Sequence, residues 1–219
     1  MNWRVLLVLD MNGVLFHRLT KKEESDNAKT HPRARTHDHT VNGNKIHIRP
    51  HTAEFLRFAF KNFDVAFWSS MQEENTFLIL DRILSVFPKH ISPVFVYTRS
   101  MCTLVPKYKQ KPLAKKDLRR IWALHRKYTP QNTLIVDDSL EKTEMFPHNR
   151  IVPTEYTVAD HGTDFTEDSE LQNIRRYLQS LLEEQPGDVR KYTSKTPFKT
   201  RETFTRGGPA QSSSCCSRP

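Results

Sequence analysis

The chain has 219 residues, a formal net charge of +9, 37% apolar residues and three cysteines. Cys102 stands alone and Cys215 and Cys216 are adjacent, which excludes a cystine-stapled scaffold or a zinc-finger spacing and points to a reducing compartment. The first twenty residues lack a signal-peptide pattern, and no run reaches the roughly 20 apolar residues of a membrane helix. A soluble intracellular protein is expected, in nucleus or cytoplasm, with its polar excess concentrated in solvated segments.

Residues 5–9, Val-Leu-Leu-Val-Leu, form a continuous apolar run and predict a strand covered on both faces. Residues 17–49 then hold eight Lys or Arg, four acidic residues and five of the ten histidines. This reads as a polar insertion, closed by a hairpin at "VNGNKIHI", where Asn42-Gly43 supplies the turn. "RPHTAEFLRFAFKNF" predicts a helix with Thr52 as N-cap and Phe55, Leu56, Ala59 and Phe60 on one face. "DVAFWSS" is a second strand ending at Ser69. Ser70 and Glu73 form a capping box for the next helix, along which Phe77, Leu80, Leu84 and Phe87 repeat at helical spacing.

"PVFVYT" is a third strand. "PLAKKDLRRIWALHRKY" predicts a helix with Leu118, Ile121, Trp122 and His125 inward. "TLIVDDS" is a fourth strand ending in two carboxylates, and "RIVPTEYT" a short fifth. "SELQNIRRYLQSLLEEQ" is an amphipathic helix opened by a Ser169–Gln172 capping box. The alternation predicts an α/β fold, a doubly wound, mostly parallel five-stranded sheet with helices on both faces. Residues 1–186 form the folded domain in this reading. Residues 187–219, with seven basic and two acidic residues, form a basic disordered tail.

Ligands of open parallel sheets bind beyond the carboxyl ends of the strands. Three polar stops fall there: Asp10, Ser69 and Asp137-Asp138. Each alone also reads as a turn residue or cap. Together, at one edge of one sheet, they read as a site.

At these residues the chain resembles the haloacid dehalogenase superfamily, in its RNA polymerase II C-terminal-domain phosphatase-like (NLI-interacting-factor-like) branch. "LVLDMNGVLFH" is similar to that branch's LDLDETLVH loop. "IRPHTAEFLRFAFKNFDVAFWSS" and "LIVDDS" resemble its later motifs, and the likeness runs from about Val5 to Pro153. The resemblance implies an Mg²⁺-dependent phosphatase acting on phosphoserine or phosphothreonine in a protein. Asp10 is then the nucleophile and forms an aspartyl phosphate. Asp10, the backbone carbonyl of Asn12, Asp137 and Asp138 hold the metal. Asp10, Ser69, Ser70, Lys111 and Lys116 bind phosphate. Lys111 is favoured by its position before the helix, and Lys116 also matches the branch's Lys-Asp-Leu run.

Asn12 departs from the pattern, because the family's aspartate there is the general acid and base. An amide can do neither, and such help is typically worth about 10²–10⁴ in rate. His17 is a candidate substitute acid, and Asn12-Gly13 is a pair prone to deamidation. A catalytically impaired phosphate-reading or docking module of the same fold therefore stays open. So does a nucleic-acid end phosphatase, given the basic helix and tail, although no nucleic-acid-binding motif is present. His31, His37 and His39 read as a solvated loop rather than a metal site, Cys102 as a core or loop residue, and Trp68 and Trp122 as core.

Overall fold

The computed structural model describes residues 4–21, 23, 25, 37–88, 91–107, 110–158 and 168–200. Its centre is a five-stranded sheet of β1 (Leu6–Leu9), β5 (Asp64–Trp68), β6 (Val96–Tyr97), β9 (Thr133–Val136) and β10 (Arg150–Ile151), in the order β10-β9-β1-β5-β6. Every pairing is parallel, and Leu9 lies between Phe67 and Val136.

The apolar run around β1 is explained by burial on both faces. Leu7 and Leu9 enter one core with Val65, Phe67, Leu134 and Val136. Leu6 and Val8 enter a second with Ala66, Trp68 and Ile135. Strand side chains alternate, so a strand in the middle of two layers needs apolar residues at every position. Helices α1 (Thr52–Asn62), α2 (Glu73–Leu84), α4 (Glu170–Glu184) and α5 (Val189–Lys195) contribute to the first core. The second is covered by α3 (Arg119–Leu124), through Leu118 and Ile121, and by Ala114. No helix among the described residues is long and apolar enough to cross a membrane.

Several expectations need correction. The helix expected from Pro112 begins only at Arg119, because Gln110–Lys115 is strand β8, paired antiparallel with β7 (Thr103–Lys107). Proline lacks the donor a helix interior requires. Thr52 does not cap α1. Its hydroxyl donates to the Leu15 and Arg49 carbonyls, and His51, at φ 66°, holds the N-cap position. Nor does Ser70 cap α2, which starts from Gln72 without a side-chain cap. Its buried face is Thr76, Ile79, Leu80 and Ile83, with Phe77 turned outward at 46% exposure. At α4, Asp168 rather than Ser169 accepts the first amide, from Glu170, while Gln172 reaches the His51 ring.

The tail expected from Gly187 instead begins with α5. Asp188 accepts from Arg190 N, and Val189 and Tyr192 are buried. Residues 201–219 and His31 lie outside the described residues. The insertion is more than one hairpin. Strands β2 (Phe16–Leu19), β3 (His39–Val41) and β4 (Asn44–Ile48) form an antiparallel sheet in the order β2-β4-β3. Asn42 (φ 47°) and Gly43 (φ 73°) form its two-residue turn, as expected.

One buried ion pair ties this frame together. Arg49 Nε and Nη2 donate to the two Asp168 oxygens at 3.0 and 2.9 Å, and Nη1 reaches the carbonyls of Gly13 and Val14 at 3.4 and 3.3 Å. The side chains are 1% and 3% exposed. Arg49→Met leaves Asp168 buried without its cation and is expected to cost about 3–5 kcal/mol. Urea unfolding of the variant measures this, and a loss below about 1 kcal/mol refutes the clamp.

His47 faces His17 across the β2–β4 pair, and burial, with His17 adding to it, pushes it down to about 4. The unfolded chain protonates this group near 6.5. Its contribution is therefore complete above about pH 6.5 and is lost as pH falls towards 4. The gap in urea midpoint between the wild type and His47→Gln is expected to shift in favour of the variant over that range.

Candidate active site

Asp10 is the first residue beyond β1, and its amide still donates to Val136 O at 2.8 Å, so β9 fixes its backbone. Its carboxylate is buried at 1% exposure. Oδ1 accepts from Met11 N at 2.8 Å and faces Lys116 Nζ at 3.0 Å, while Oδ2 accepts from Lys142 Nζ at 3.2 Å. Burial would raise the Asp10 pKa, but the charges of Lys116 and Lys142 outweigh it and hold the group at about 2. Asp10 is ionised at neutral pH.

Asp137 and Asp138 follow β9, beside β1, at the same sheet edge. Asp137 N donates to Ile151 O at 3.1 Å, and Asp137 Oδ1 accepts from Ser139 N at 2.9 Å. Asp137 Oδ2 lies 2.6 Å from Lys116 Nζ. Asp138 Oδ1 is buried without a hydrogen-bond partner, 3.7 Å from Lys142 Nζ. Burial and then the Asp10 charge push Asp138 up to about 7, against the opposing effect of Lys142 and with Asp137 and Glu155 adding to the rise. The same three carboxylates raise the Lys142 pKa against the opposing effect of burial.

Three carboxylates beside two ammonium groups leave a formal deficit of one positive charge. One oxygen from each of Asp10, Asp137 and Asp138 lies within 4.8 Å of the others, the one group with metal-ligand spacing among the described residues. An all-oxygen donor set, with a buried oxygen lacking a partner, fits a hard divalent cation such as Mg²⁺. Among the described residues the histidines of the insertion form no such group, and His37 bonds to Thr40.

The loop geometry explains Gly13. Its φ is +87°, and a Cβ there would meet Asp138 Oδ2 at 2.6 Å and Cγ at 2.8 Å. Any side chain would push Asp138 out of the cluster. Gly13 N donates to Phe16 O at 2.8 Å, so it is held away from attack on the Asn12 amide, the step that deamidation requires. Asn12 Oδ1 accepts from Arg18 N at 2.8 Å, which fixes the amide. His17 Nδ1 accepts from Val158 N at 3.0 Å. A ring that accepts at Nδ1 is neutral, with its proton on Nε2.

Ser69 follows β5 on the other side of β1 and is buried at 1% exposure. Its amide donates to Tyr97 O at 2.9 Å and its Oγ accepts from Met71 N at 3.1 Å. The hydroxyl proton remains for a ligand oxygen. Ser70, next in the chain, is partly exposed. Of the two expected lysines, Lys116 reaches the cluster and Lys111 does not. Lys111 is exposed on β8, and five residues of strand separate the two by about 16 Å.

Lys142 was missed in the sequence, where it reads as one more solvated lysine. Its placement depends on the short 3₁₀ turn Leu140–Lys142, whose Lys142 carbonyl accepts from Lys116 N at 2.9 Å. Ion pairs Lys107–Glu141 and Lys115–Glu144 brace the β7–β8 hairpin against this turn. Cys102 is buried, and its thiol pKa is raised by that burial. Trp68 is fully buried, as expected of a core residue, whereas Trp122 is half-buried and packs edge-on to Phe146.

Residues 5–190 match the model of the NLI interacting factor-like phosphatase family. The chain is 29% identical over 205 residues to an uncharacterized FCP1 homology domain-containing protein of Schizosaccharomyces pombe, covering 90% of this chain and 78% of that one. It is 27% identical over 146 residues to the ubiquitin-like domain-containing CTD phosphatase 1 of Drosophila melanogaster, covering 64% of this chain and 43% of the relative. The structure of the fission yeast RNA polymerase II CTD phosphatase Fcp1 bound to beryllium fluoride superposes with a TM-score of 0.52 at 14% identity. That likeness covers 88% of this chain and 55% of that chain, and it concerns the fold alone. The chain belongs to the NLI interacting factor-like phosphatase family.

Proposed function

We propose that the protein is an Mg²⁺-dependent intracellular phosphatase that cleaves phosphoserine or phosphothreonine in a protein through an aspartyl-phosphate intermediate. The observation that carries this reading is the ionised, buried Asp10 held between Lys116 and Lys142, beside Asp137 and Asp138. Asp10, Asp137 and Asp138 would hold the cation, with the Asn12 carbonyl completing the set. Bound there, Mg²⁺ offsets negative charge on the phosphoryl group and its attacking carboxylate.

Asp10 attacks phosphorus and the bond to the leaving oxygen breaks; that oxygen departs as an alkoxide that takes a proton from solvent, and water then attacks the aspartyl phosphate to release inorganic phosphate and restore Asp10. Lys116 offsets charge on the transferring oxygens. Its ammonium lies 3.0 Å from Asp10 Oδ1 and 2.6 Å from Asp137 Oδ2, which keeps its charge beside the attacking carboxylate. Ser69 donates its hydroxyl proton to another phosphoryl oxygen, and the partly exposed Ser70 offers a second hydroxyl to it. Lys116 and Lys142 together keep Asp10 ionised.

Protonation of the leaving alkoxide limits the reaction. Asn12 has no acidic proton, and its oxygen is already bonded to Arg18 N. Esters with good leaving groups are therefore cleaved faster than a serine phosphopeptide. The fixed amide also favours a second reading, a phosphate-binding module with little turnover.

Turnover of an aryl phosphate and of a serine phosphopeptide, with Mg²⁺ and with EDTA, distinguishes these readings. EDTA and Asp10→Asn are each expected to reduce aryl phosphate turnover to background, and survival in Asp10→Asn overturns the mechanism. Asn12→Asp keeps the bond from Arg18 and is expected to raise phosphopeptide turnover by about 10²–10⁴. Tight phosphopeptide binding by a wild type that turns over neither substrate selects the binding module.

A further inference from the structure

A groove lies at the amino end of β9, away from Asp137 at the carboxyl end. Its floor is apolar, with Trp122 packed edge-on to Phe146 at 5.6 Å and its indole N–H bonded to Thr133 at 3.1 Å. Met145 forms part of the wall and is 51% exposed. The volume, about 290 Å³, suits one large side chain rather than a cofactor or drug-sized ligand. An adjoining depression shares His148 and Arg190 and adds Lys191 and Asp188.

The formal charges around this groove, Arg119, Arg190 and Lys191 against Asp188 and Asp117, sum to one positive, with Lys191 as the cation outside the two arginine–aspartate pairs. Arg119, Arg190 and Lys191 line the two depressions, against Asp188 as the single lining acid. That acid is already used: both Asp188 oxygens accept from Arg190 Nε and Nη2, at 3.0 and 2.8 Å. Asp117, beside the groove, is held in the same way by Arg119. A cationic partner would meet no unpaired carboxylate there. An anionic one would meet the Nη1 groups of both arginines and the exposed Lys191.

We propose that this groove is a docking site for an acidic segment of a partner protein, which seats one aromatic or large aliphatic side chain against Trp122, Phe146 and Met145. An apolar anchor within a charged rim is how small protein interfaces combine affinity with selectivity. The proposal is independent of the chemistry at Asp10, because the groove lies at the other end of the strand.

Selection of a displayed 12-residue peptide library on the full chain tests it, followed by fluorescence anisotropy of the labelled winners. The expected winners carry Asp and Glu around one Phe, Trp or Leu, and bind more weakly as ionic strength rises. Met145→Asp and Lys191→Glu, both at exposed positions, are each expected to weaken binding about ten-fold. Both should leave aryl phosphate turnover and the melting temperature unchanged. Failure to select any peptide, winners without an acidic excess, or undiminished binding to Met145→Asp overturns the proposal. Equal displacement of the peptide by RNA or by anionic lipid vesicles also overturns it, since the surface would then be a general anion binder.

Discussion

Three carboxylates and two ammonium groups share one buried space at the carboxyl edge of the sheet, and neither set is stable there without the other. Bringing a carboxylate or an ammonium out of water costs several kcal/mol per ion. Lys116 between Asp10 and Asp137, and Lys142 between Asp10 and Asp138, offset that cost by mutual attraction. Burial and then the Asp10 charge raise the Asp138 pKa to about 7, and the formal balance, one positive charge short, suits the cluster to a divalent cation. The β7–β8 hairpin and the 3₁₀ turn at Leu140 have an evident task in this light. They deliver the lysines and are bonded to each other where they do so.

The parallel sheet sets the geometry of that cluster. Leu9 pairs with Val136 and with Phe67, so the chain leaves the sheet at Asp10, Asp137 and Ser69 on neighbouring strands. The first turn after β1 is then fixed from outside. Arg49, at the end of the insertion, holds the Gly13 and Val14 carbonyls while anchoring to Asp168 before α4. One side chain thus joins the loop after β1, the insertion and the C-terminal helices through a buried contact. Thr52 adds a second tie, to Leu15.

Asn12 is the chemical exception in an otherwise consistent site. Its amide is not a disordered remnant. It is held by Arg18 N in the same turn that presents Asp10, and Gly13 beneath Asp138 completes that turn. Binding functions can be intact while proton transfer is weakened, because charge offset and proton supply reside in different side chains. The groove at Trp122 adds a place where a protein partner would be held without contact with the reacting atoms.

Much of the site was legible in the sequence. Doubly buried strands show as unbroken apolar runs, and the residues that stop them show as isolated polar ones, so Asp10, Ser69 and Asp137 could be found by position. Asn42-Gly43 specified its turn through local backbone preference alone. What failed had tertiary causes. Three candidate caps, Thr52, Ser70 and Ser169, fit helix starts in sequence, but longer-range bonds or neighbouring residues took their place. Residues 110–115 contain helix formers and a proline, and the partner strand at 103–107 decided between the two. Val189 and Tyr192 sit in a polar stretch that reads as disordered until α5 gives them a core to enter. Lys111, Lys116 and Lys142 carry the same charge in sequence, and position and family resemblance singled out the first two without separating them. Only folding, by burying Lys116 and Lys142 among carboxylates and leaving Lys111 in water, made them different.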